Sequence, residues 1–264
     1  MTGYIELSYF DLLLASVLLL FNAGLSLALG LRLERQMLLA ALRMTVQLLL
    51  VGLVLQALFA TVSLWLTALV ALIMALFAGR EILSRQERRL KGWWGYGIGS
   101  ATMLLAGMVV TVLALNGPLR PEPWYDPRYA IPLFGMILGN AMTGISLGLD
   151  GLTSLVGRER AAIEAQLTLG ATRWRALRPI AQRALRTGFT PMLNSMAAAG
   201  VVFLPGMMTG QILSGVAPEQ AVKYQILVLF LIAGASGLGV LTAVLASIWR
   251  LTDDRPRLRL DRLA

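Results

Sequence analysis

The feature that most restricts this chain is a series of apolar stretches that recur along nearly its whole length. A bilayer core about 30 Å thick is crossed by a helix of roughly 20 predominantly apolar residues. The stretches lie near residues 9–31, 38–59, 62–83, 94–115, 130–151, 188–210 and 222–249. The sequence therefore predicts an all-α, polytopic membrane bundle of about seven transmembrane helices, which forms a single transmembrane domain over residues 1–264.

The basic residues indicate which side of the membrane each connection faces. Connections on the cytoplasmic side of a membrane protein carry an excess of Lys and Arg. Seven crossings leave only Arg120, Arg128 and Lys223 outside. They place four basic segments inside: Arg32 with Arg35, residues 80–91, residues 158–186 and residues 250–262. We therefore expect the N-terminus outside and the C-terminus inside.

The composition excludes several classes of function. The chain of 264 residues is 57% apolar, and its net charge of +9 lies in short connections without a nucleic-acid-binding motif, so we expect no nucleic-acid partner. It has no His and no Cys, the usual ligands for zinc and haem and the usual catalytic bases and nucleophiles. It also has no G-x-x-x-x-G-K-[ST] sequence, so it cannot hold ATP phosphates through a P-loop. We expect no enzymatic activity of its own and no cofactor.

The longest inner connection, residues 157–186, is amphipathic. Its apolar and small residues recur at helical spacing, and they are Ile163, Leu167, Gly170, Trp174, Leu177 and Ala181. Gly170 permits a sharp bend that most other residues resist. The segment is expected to lie along the inner face. There it is either a docking surface for a soluble ATPase or an interfacial helix that rests on lipid.

Residues 164–170, with the sequence EAQLTLG, resemble the EAA loop of ABC importer permeases. In that family Glu and Ala are followed by Gly and later by Ile, a position that Ile180 holds here. The family's loop is a helix, a glycine turn and a second helix, and its first helix seats in a cleft of the ATPase subunit. The sequence departs from the pattern at Gln166, Gln182 and Arg183. The resemblance implies an ATPase-coupling role for Glu164, Ala165, Leu169, Gly170, Arg173 and Trp174.

A wider resemblance covers residues 190–226. The sequence TPMLNSM at 190–196, Gly200, LPGMMTGQILSG at 204–215 and YQI at 224–226 resemble the signature of the FetB family. Its members are bacterial ABC permeases implicated in iron export, and they are similar to plant proteins involved in aluminium tolerance. The resemblance implies a permease of the bacterial inner membrane that exports iron or a similar metal cation. It implies a separate P-loop ATPase as partner, and a dimeric ATPase implies two copies of this chain.

Pro205 and Gly206 fall inside the sixth apolar stretch, where proline removes a backbone hydrogen bond and clashes with the preceding turn. We expect the helix to break there. Broken helices in membranes are tolerated where protein or a watery cavity satisfies the backbone, so they often line a path. Met207, Met208 and Gln211 follow the break. The two methionines are candidate soft ligands for a passing cation, or they fill gaps between helices.

Polar residues within the apolar stretches are expected to face the bundle interior or a wet cavity. We place Asn140, Asp150 and Asn194 on the translocation path with Pro205 to Met208 and Gln211. The alternative is that Asp150 pairs with Arg43 or with arginines of the inner connection, and Arg43 lies close enough to the inner end to extend to the membrane surface. The fifth stretch also holds small residues whose spacing predicts close helix packing: Gly135, Gly139, Gly144 and Gly148.

A second class of function remains open from the sequence. A channel or secondary carrier driven by gradients would need no ATPase. A short P-loop ATPase encoded beside this chain would favour the ATP-driven interpretation, and its absence would favour the gradient-driven one.

Overall fold

The computed structural model describes residues 8–253 and 257–263, and these residues are almost entirely helical. The predicted basic segment 250–262 therefore includes three residues, 254–256, that lie outside the described part. The α-helices in chain order are α1 (Tyr9–Ala28), α2 (Glu34–Ala60), α3 (Leu64–Ser84), α4 (Trp93–Ala114), α5 (Pro127–Arg158), α6 (Arg160–Thr168), α7 (Arg173–Ala198), α8 (Gly206–Leu213) and α9 (Pro218–Leu251). This architecture confirms the predicted all-α bundle.

Six helices of the described chain are long and apolar enough to cross a membrane: α1, α2, α3, α4 with the π-helical turn Leu115–Leu119, α5 and α9. The sixth predicted stretch, 188–210, differs from the other six because it is not one helix. It is divided between the last turns of α7, an irregular segment at 199–205 and the start of α8. Helix α7 begins far upstream in the basic connection 157–186, so its apolar part is only its C-terminal half.

The chain divides into two compact units, and the single domain expected over residues 1–264 stays a prediction. The first unit contains the residues up to Val62 together with Gly210–Val216. In it, α1 packs against α2. The turn between them is held by Ser26, whose hydroxyl donates to Glu34 Oε2 at 3.1 Å and accepts the amide of Leu33 at 3.0 Å. Most apolar side chains of both helices are exposed, which suits a surface that faces lipid.

The second unit contains residues 63–209 and 217–264, and α5 packs against four of its other helices, α3, α4, α7 and α9. Phe134, Ile137 and Ile145 on α5 are fully buried. Where α5 crosses α7, a Cβ atom placed on Gly144 would lie 2.8 Å from the carbonyl oxygen of Gly188. The backbones of the two helices therefore approach as closely as glycine allows.

The close packing predicted from the glycines of α5 is confirmed at two of four positions. A Cβ atom at Gly144 or Gly148 would meet Val240 of α9 at 3.1 or 3.2 Å. A Cβ atom at Gly135 would meet only the end of the Met74 side chain. The prediction of close packing was wrong at Gly139, because a Cβ atom there would have no neighbour within 4 Å among the described residues.

Charged side chains hold the segment after α9 in place. Asp253 accepts hydrogen bonds from Arg257, Arg259 and Arg262 at 2.9, 2.7 and 3.1 Å. These arginines hold the pKa of Asp253 down at about 2, with Arg259 as the largest cause. The carbonyl oxygen of Arg262 in turn accepts the amide of Lys91 at 2.8 Å. The C-terminal segment is thereby tied to the connection between α3 and α4.

Candidate functional site

The segment with the sequence EAQLTLG forms a short helix followed by a glycine turn. Helix α6 ends at Thr168, and Gly170 follows with a φ of +87°. Such a positive φ is strained for a residue with a side chain, and glycine adopts it freely. Thr172 then caps α7, since its hydroxyl accepts the amide of Arg175 at 3.3 Å. The order of helix, glycine turn and helix is the one that the EAA-loop resemblance implies, and we call residues 169–172 the coupling turn.

Helix α6 has one buried face and one open face. Ile163 and Leu167 are four residues apart and almost fully buried, and the helix contacts α5 and α7. Because its apolar face is covered by protein, α6 does not need lipid to bury that face, which disfavours the alternative of an interfacial helix. The open face carries small side chains such as Ala165, and next to it Leu169 is 87% exposed. The open face is therefore accessible to a partner.

The predicted amphipathic stripe is confirmed at four of its six positions. Ile163, Leu167, Leu177 and Ala181 are buried. Gly170 lies in the exposed turn, and Trp174 at the start of α7 is 47% exposed. Periodicity fails at these two positions because the turn interrupts the helix.

Two ion pairs stabilise this region. Arg160 Nε donates to Glu164 Oε1 at 2.9 Å within α6. Arg183 of α7 donates to Glu159 Oε2 at 2.6 Å and so joins α7 to the junction between α5 and α6. This hydrogen bond lowers the pKa of the Glu159 carboxyl and raises that of the Arg183 guanidinium. Both groups therefore stay charged at neutral pH, and the pair persists there.

Helix α7 ends abruptly at Ala198, seven residues before Pro205, the proline that predicts the break. The carbonyl oxygen of Ala198 accepts the amides of Val201, Val202 and Phe203 at 3.4, 2.9 and 3.4 Å, so the chain curls back on itself. Gly200 sits in this curl with a φ of +84°. Helix α8 begins directly after Pro205, and its first carbonyl partner is Pro205 O, which accepts the amide of Thr209 at 3.1 Å. The predicted break is confirmed, but the irregular segment is seven residues long rather than a single kink.

The broken segment and α9 border a half-open cavity of about 510 Å³, which we call the break cavity. It lies wholly within the second unit. Most of its wall is apolar. Its polar group is the side-chain amide of Gln225, which is only 8% exposed. The residues that line it are Met196, Ala199, Gly200, Leu204, Pro205, Met208, Val222, Gln225, Ile226, Leu229 and Phe230.

Only two of the predicted path residues, Pro205 and Met208, line the break cavity. Met207 instead packs against the buried cluster formed by α4, α5 and α9, so it fills a gap between helices there. Gly206, at the start of α8, is exposed. In the first unit, the side-chain oxygen of Gln211 is buried without a hydrogen-bond partner among the described residues. Sequence position alone groups these residues, whereas the fold separates them.

The remaining predicted path residues lie elsewhere in the second unit. Asn140 and Asn194 are exposed, and the Asn140 amide donates to the carbonyl oxygen of Met136 at 2.8 Å within its own helix. Asp150 Oδ1 accepts the amide of Glu87 at 2.9 Å. Thr153, one turn further along α5, donates to the carbonyl oxygen of Arg88 at 2.7 Å. Asp150 therefore holds the connection between α3 and α4.

Sequence reasoning passed over Gln225 and Met196 as site residues. Gln225 belongs to the YQI triplet, and the sequence held a second signal. Ala221, Gln225, Val228 and Ile232 recur at helical spacing, so a glutamine occupies the buried stripe of α9. A polar side chain in an apolar stripe needs a partner, and sequence alone does not show whether one is present.

Resident metal sites of the usual kind are not found in the part of the chain that the structure describes. No group of three or more His, Cys, Asp or Glu side chains comes together there. Met207 and Met208, the proposed soft ligands, lie in different surroundings, since Met207 is partly buried against the cluster of α4, α5 and α9 and Met208 lies on the cavity wall.

Comparison with known proteins places these features in a family context. The model of the family described as "Uncharacterised protein family (UPF0014)" matches residues 9–251. The chain is 36% identical to the UPF0014 membrane protein slr1647 of Synechocystis, over 69% of this chain and 68% of that protein. It is 32% identical to the UPF0014 membrane protein YjkA of Bacillus subtilis, over 92% and 93% of the two chains. It is 34% identical to the probable iron export permease protein FetB of Escherichia coli, over 60% of each. No solved structure matches the chain.

Proposed function

Because this chain belongs to the UPF0014 family of membrane proteins, we propose that it is the permease subunit of an ATP-driven transporter that exports iron or a similar metal cation. The ATPase is a separate P-loop protein that docks on the inner face. The permease acts in the bacterial inner membrane as a homodimer, since two ATPase subunits require two docking sites. The relative named as a probable iron export permease supports the cargo and the direction.

One observation supports the coupling mechanism most directly. Helix α7 begins at the coupling turn and runs without interruption to Ala198, beside the break cavity. At a rise of about 1.5 Å per residue, a helix of this length spans about 39 Å. A displacement of α6 by a docked ATPase would therefore be carried along a single continuous helix, which contains Pro179 and Pro191, to the cavity wall. The close contact of Gly188 with α5 supports α7 against bending along the way.

The open face of α6 has the properties of a docking surface. Its exposed alanines allow a partner's backbone or side chains to approach closely, and Leu169 offers an apolar anchor beside them. The coupling role is assigned to Glu164, Ala165, Leu169 and Gly170, with Arg173 and Trp174 at the start of α7. Glu164 forms an ion pair with Arg160 within α6.

The coupling proposal is tested with the partner ATPase and this chain in lipid vesicles. We expect ATP turnover to rise when the chain is present. Gly170→Pro should abolish the rise, because proline fixes φ near −65° and Gly170 requires +87°. Gly170→Asn is the matched control, since asparagine tolerates positive φ better than other residues with a side chain and should retain most of the stimulation. Equal turnover with and without the chain would refute docking and favour a gradient-driven carrier.

The cargo is tested separately in cells. Under iron excess, cells that lack this protein should contain more iron than cells that have it. Reintroducing the wild-type chain should restore the lower level, whereas the Gly170→Pro variant should not. Equal iron contents with and without the protein would contradict the assignment of iron.

A further inference from the structure

The exposed surface of the second unit has an apolar face and a polar face. On α4 and α9 the exposed side chains are large and apolar, such as Leu105, Val109 and Phe230. On α5 and α7 the exposed side chains include two amides, those of Asn140 and Asn194. Lipid tails are as apolar as leucine, so they suit the first face but not the second. We call the surface of α5 and α7 that carries these two amides the amide face.

Both amides lie at the depth of a bilayer core. At about 1.5 Å per residue, Asn140 is about 20 Å from the start of α5 and about 27 Å from its end, which places it well inside a core about 30 Å thick. Helices α5 and α7 run antiparallel and cross where Gly188 lies against Gly144. From this crossing, Asn140 and Asn194 lie about 6 Å and about 9 Å further in the same direction. The two amides therefore share one level in the membrane.

The amides also lie on adjoining edges of the two helices. A Cβ atom placed on Gly151 of α5 would lie 3.8 Å from the Cα atom of Ala184 and 4.0 Å from Cβ of Thr187 on α7. Asn140 is about three helical turns from Gly151, and Asn194 is about two turns from Thr187. Each amide therefore lies on the edge of its helix that is next to the other helix, and the two belong to one continuous surface.

The hydrogen-bonding groups of this surface are only partly satisfied within their own helices. Thr143 and Thr190 donate their hydroxyls to carbonyl oxygens of their own helices at 3.4 and 2.8 Å. Asn140 donates one N–H to the carbonyl oxygen of Met136 at 2.8 Å, which leaves its second N–H and its carbonyl oxygen. The bilayer core offers no water to these groups, and amides there hydrogen-bond across helices. The amide face therefore requires a cover that supplies donors and acceptors.

A second copy of this chain fits the size and the chemistry of the amide face. Two helices whose axes are about 10 Å apart present about 600 Å² within a core about 30 Å thick, so two copies would bury about 1,200 Å² in total. Stable interfaces between proteins begin at about this area. Two-fold symmetry brings the same surface of each copy together, so each copy supplies the amide donors and acceptors that the other lacks.

We propose that the amide face is the surface on which a second copy of this chain packs, and that the amides of Asn140 and Asn194 hydrogen-bond between the two copies. The inference rests on the proposed function for the existence of a homodimer, and it adds the surface through which the dimer forms. The apolar face of α4 and α9 is left to lipid.

Cross-linking tests the proposal directly, because the chain contains no cysteine and single cysteines can be placed in an otherwise native protein. Asn140→Cys and Asn194→Cys are produced separately and together, with different tags, and the membranes are treated with a short reagent that forms a disulfide with each of two thiols. We expect a covalent dimer, released by reduction, in at least one of the three pairings. Leu105→Cys on the apolar face is the matched control and should stay monomeric.

A second measurement tests the hydrogen bonds themselves. The double variant Asn140→Leu with Asn194→Leu should associate about three- to tenfold more weakly than the wild type, as expected for the loss of one or two hydrogen bonds in a membrane. Association is followed by energy transfer between differently labelled copies as lipid is added. Gln47→Leu removes an amide from the middle of α2 and should associate like the wild type. Because both asparagines are exposed, the double variant should unfold at the same temperature as the wild type.

The double variant Gln47→Cys with Asn140→Cys tests whether α2 of the same chain covers the amide face instead. A product that is linked within one chain and migrates as a monomer would assign this cover to α2 and overturn the proposal. Three other results would also overturn it: no covalent dimer in any of the three pairings, an equally abundant dimer through Leu105→Cys, or unchanged association of the leucine variant.

The ATPase assay separates this proposal from the proposed function. If the amide face gives no dimer while turnover still depends on Gly170, only the assigned surface is refuted. If the dimer forms through the amide face while turnover is indifferent to the chain, only the ATP-driven function is refuted.

Discussion

Substitution of Gly188 by alanine tests whether α7 is held rigidly between α5 and α9. The added Cβ would lie 2.5 Å from Val240 Cγ1, 2.9 Å from the carbonyl oxygen of Gly144 and 3.3 Å from the Cα atom of Gly148. The Val240 side chain can change its rotamer, but the two contacts on α5 are backbone atoms. Relief of the clash therefore requires α5 and α7 to move apart.

The expected change in the free energy of unfolding is the difference between a cost and a gain. Overpacking in a well-packed interior costs about 1–3 kcal/mol. Replacing glycine by alanine within a helix recovers up to about 1 kcal/mol. We expect Gly188→Ala to destabilise the protein by up to about 2 kcal/mol, and by about 1–3 kcal/mol relative to a helix glycine that is replaced by alanine without a clash. Gly139→Ala on α5 is the matched control, because its Cβ would meet no described atom within 4 Å and should leave the protein equally or slightly more stable.

The assay is denaturation of both purified variants and the wild type in the same detergent. Unfolding is followed by a helix signal and by the exposure of tryptophan. The ATPase assay on the same samples should show a weaker stimulation for Gly188→Ala than for Gly139→Ala, because α7 is displaced from its support. A Gly188→Ala variant as stable as Gly139→Ala would refute the close crossing of α5 and α7, and with it the rigid connection from coupling turn to cavity.

Two further predictions concern the inner side of the protein. Ala165→Arg places a long charged side chain on the open face of α6, so it should abolish stimulation of the ATPase. The free energy of unfolding should change by less than about 0.5 kcal/mol, because the position is exposed. Unchanged stimulation would contradict docking at this face. The pKa of Asp253 is lowered from 3.8 to about 2, so its charge stabilises the C-terminal segment above about pH 4, and this contribution is lost as the pH falls toward 2. The backbone amides of residues 257–263 should therefore be protected from hydrogen exchange at neutral pH in the wild type. In Asp253→Asn, measured at the same pH, they should exchange faster. Equal protection in that variant would count against the ion cluster.

The positions of the long apolar helices were predictable from the sequence because they depend on local composition. The apolar runs of α1 to α5 and α9 exceed the length needed to cross a bilayer, and their boundaries in the structure fall close to those expected. The break at Pro205 was predictable because proline removes a backbone hydrogen bond and clashes with the preceding turn, although Pro132, Pro179 and Pro191 lie inside continuous helices of this chain. The turn at Gly170 followed from a glycine between two amphipathic segments.

The extent of α7 was not predictable in this way. Its first half is basic and its second half apolar, so composition divides it into an inner connection and a membrane stretch. The structure joins the two halves in one helix, in which Leu177, Ala181 and Ala184 are buried and which packs against α5 on both sides of the change in composition. Tertiary packing overrides local composition here.

The sequence by itself determined that this is a helical membrane protein, because the length and hydropathy of its apolar stretches are properties of local segments. Only the tertiary structure decided which polar residues gather at one site. Asp150 became a support for the connection between α3 and α4, whereas Gln225 became the unpartnered group of the break cavity. The physical reason is that the state of a buried polar group depends on the donors and acceptors around it. Those groups come from helices that are distant along the chain.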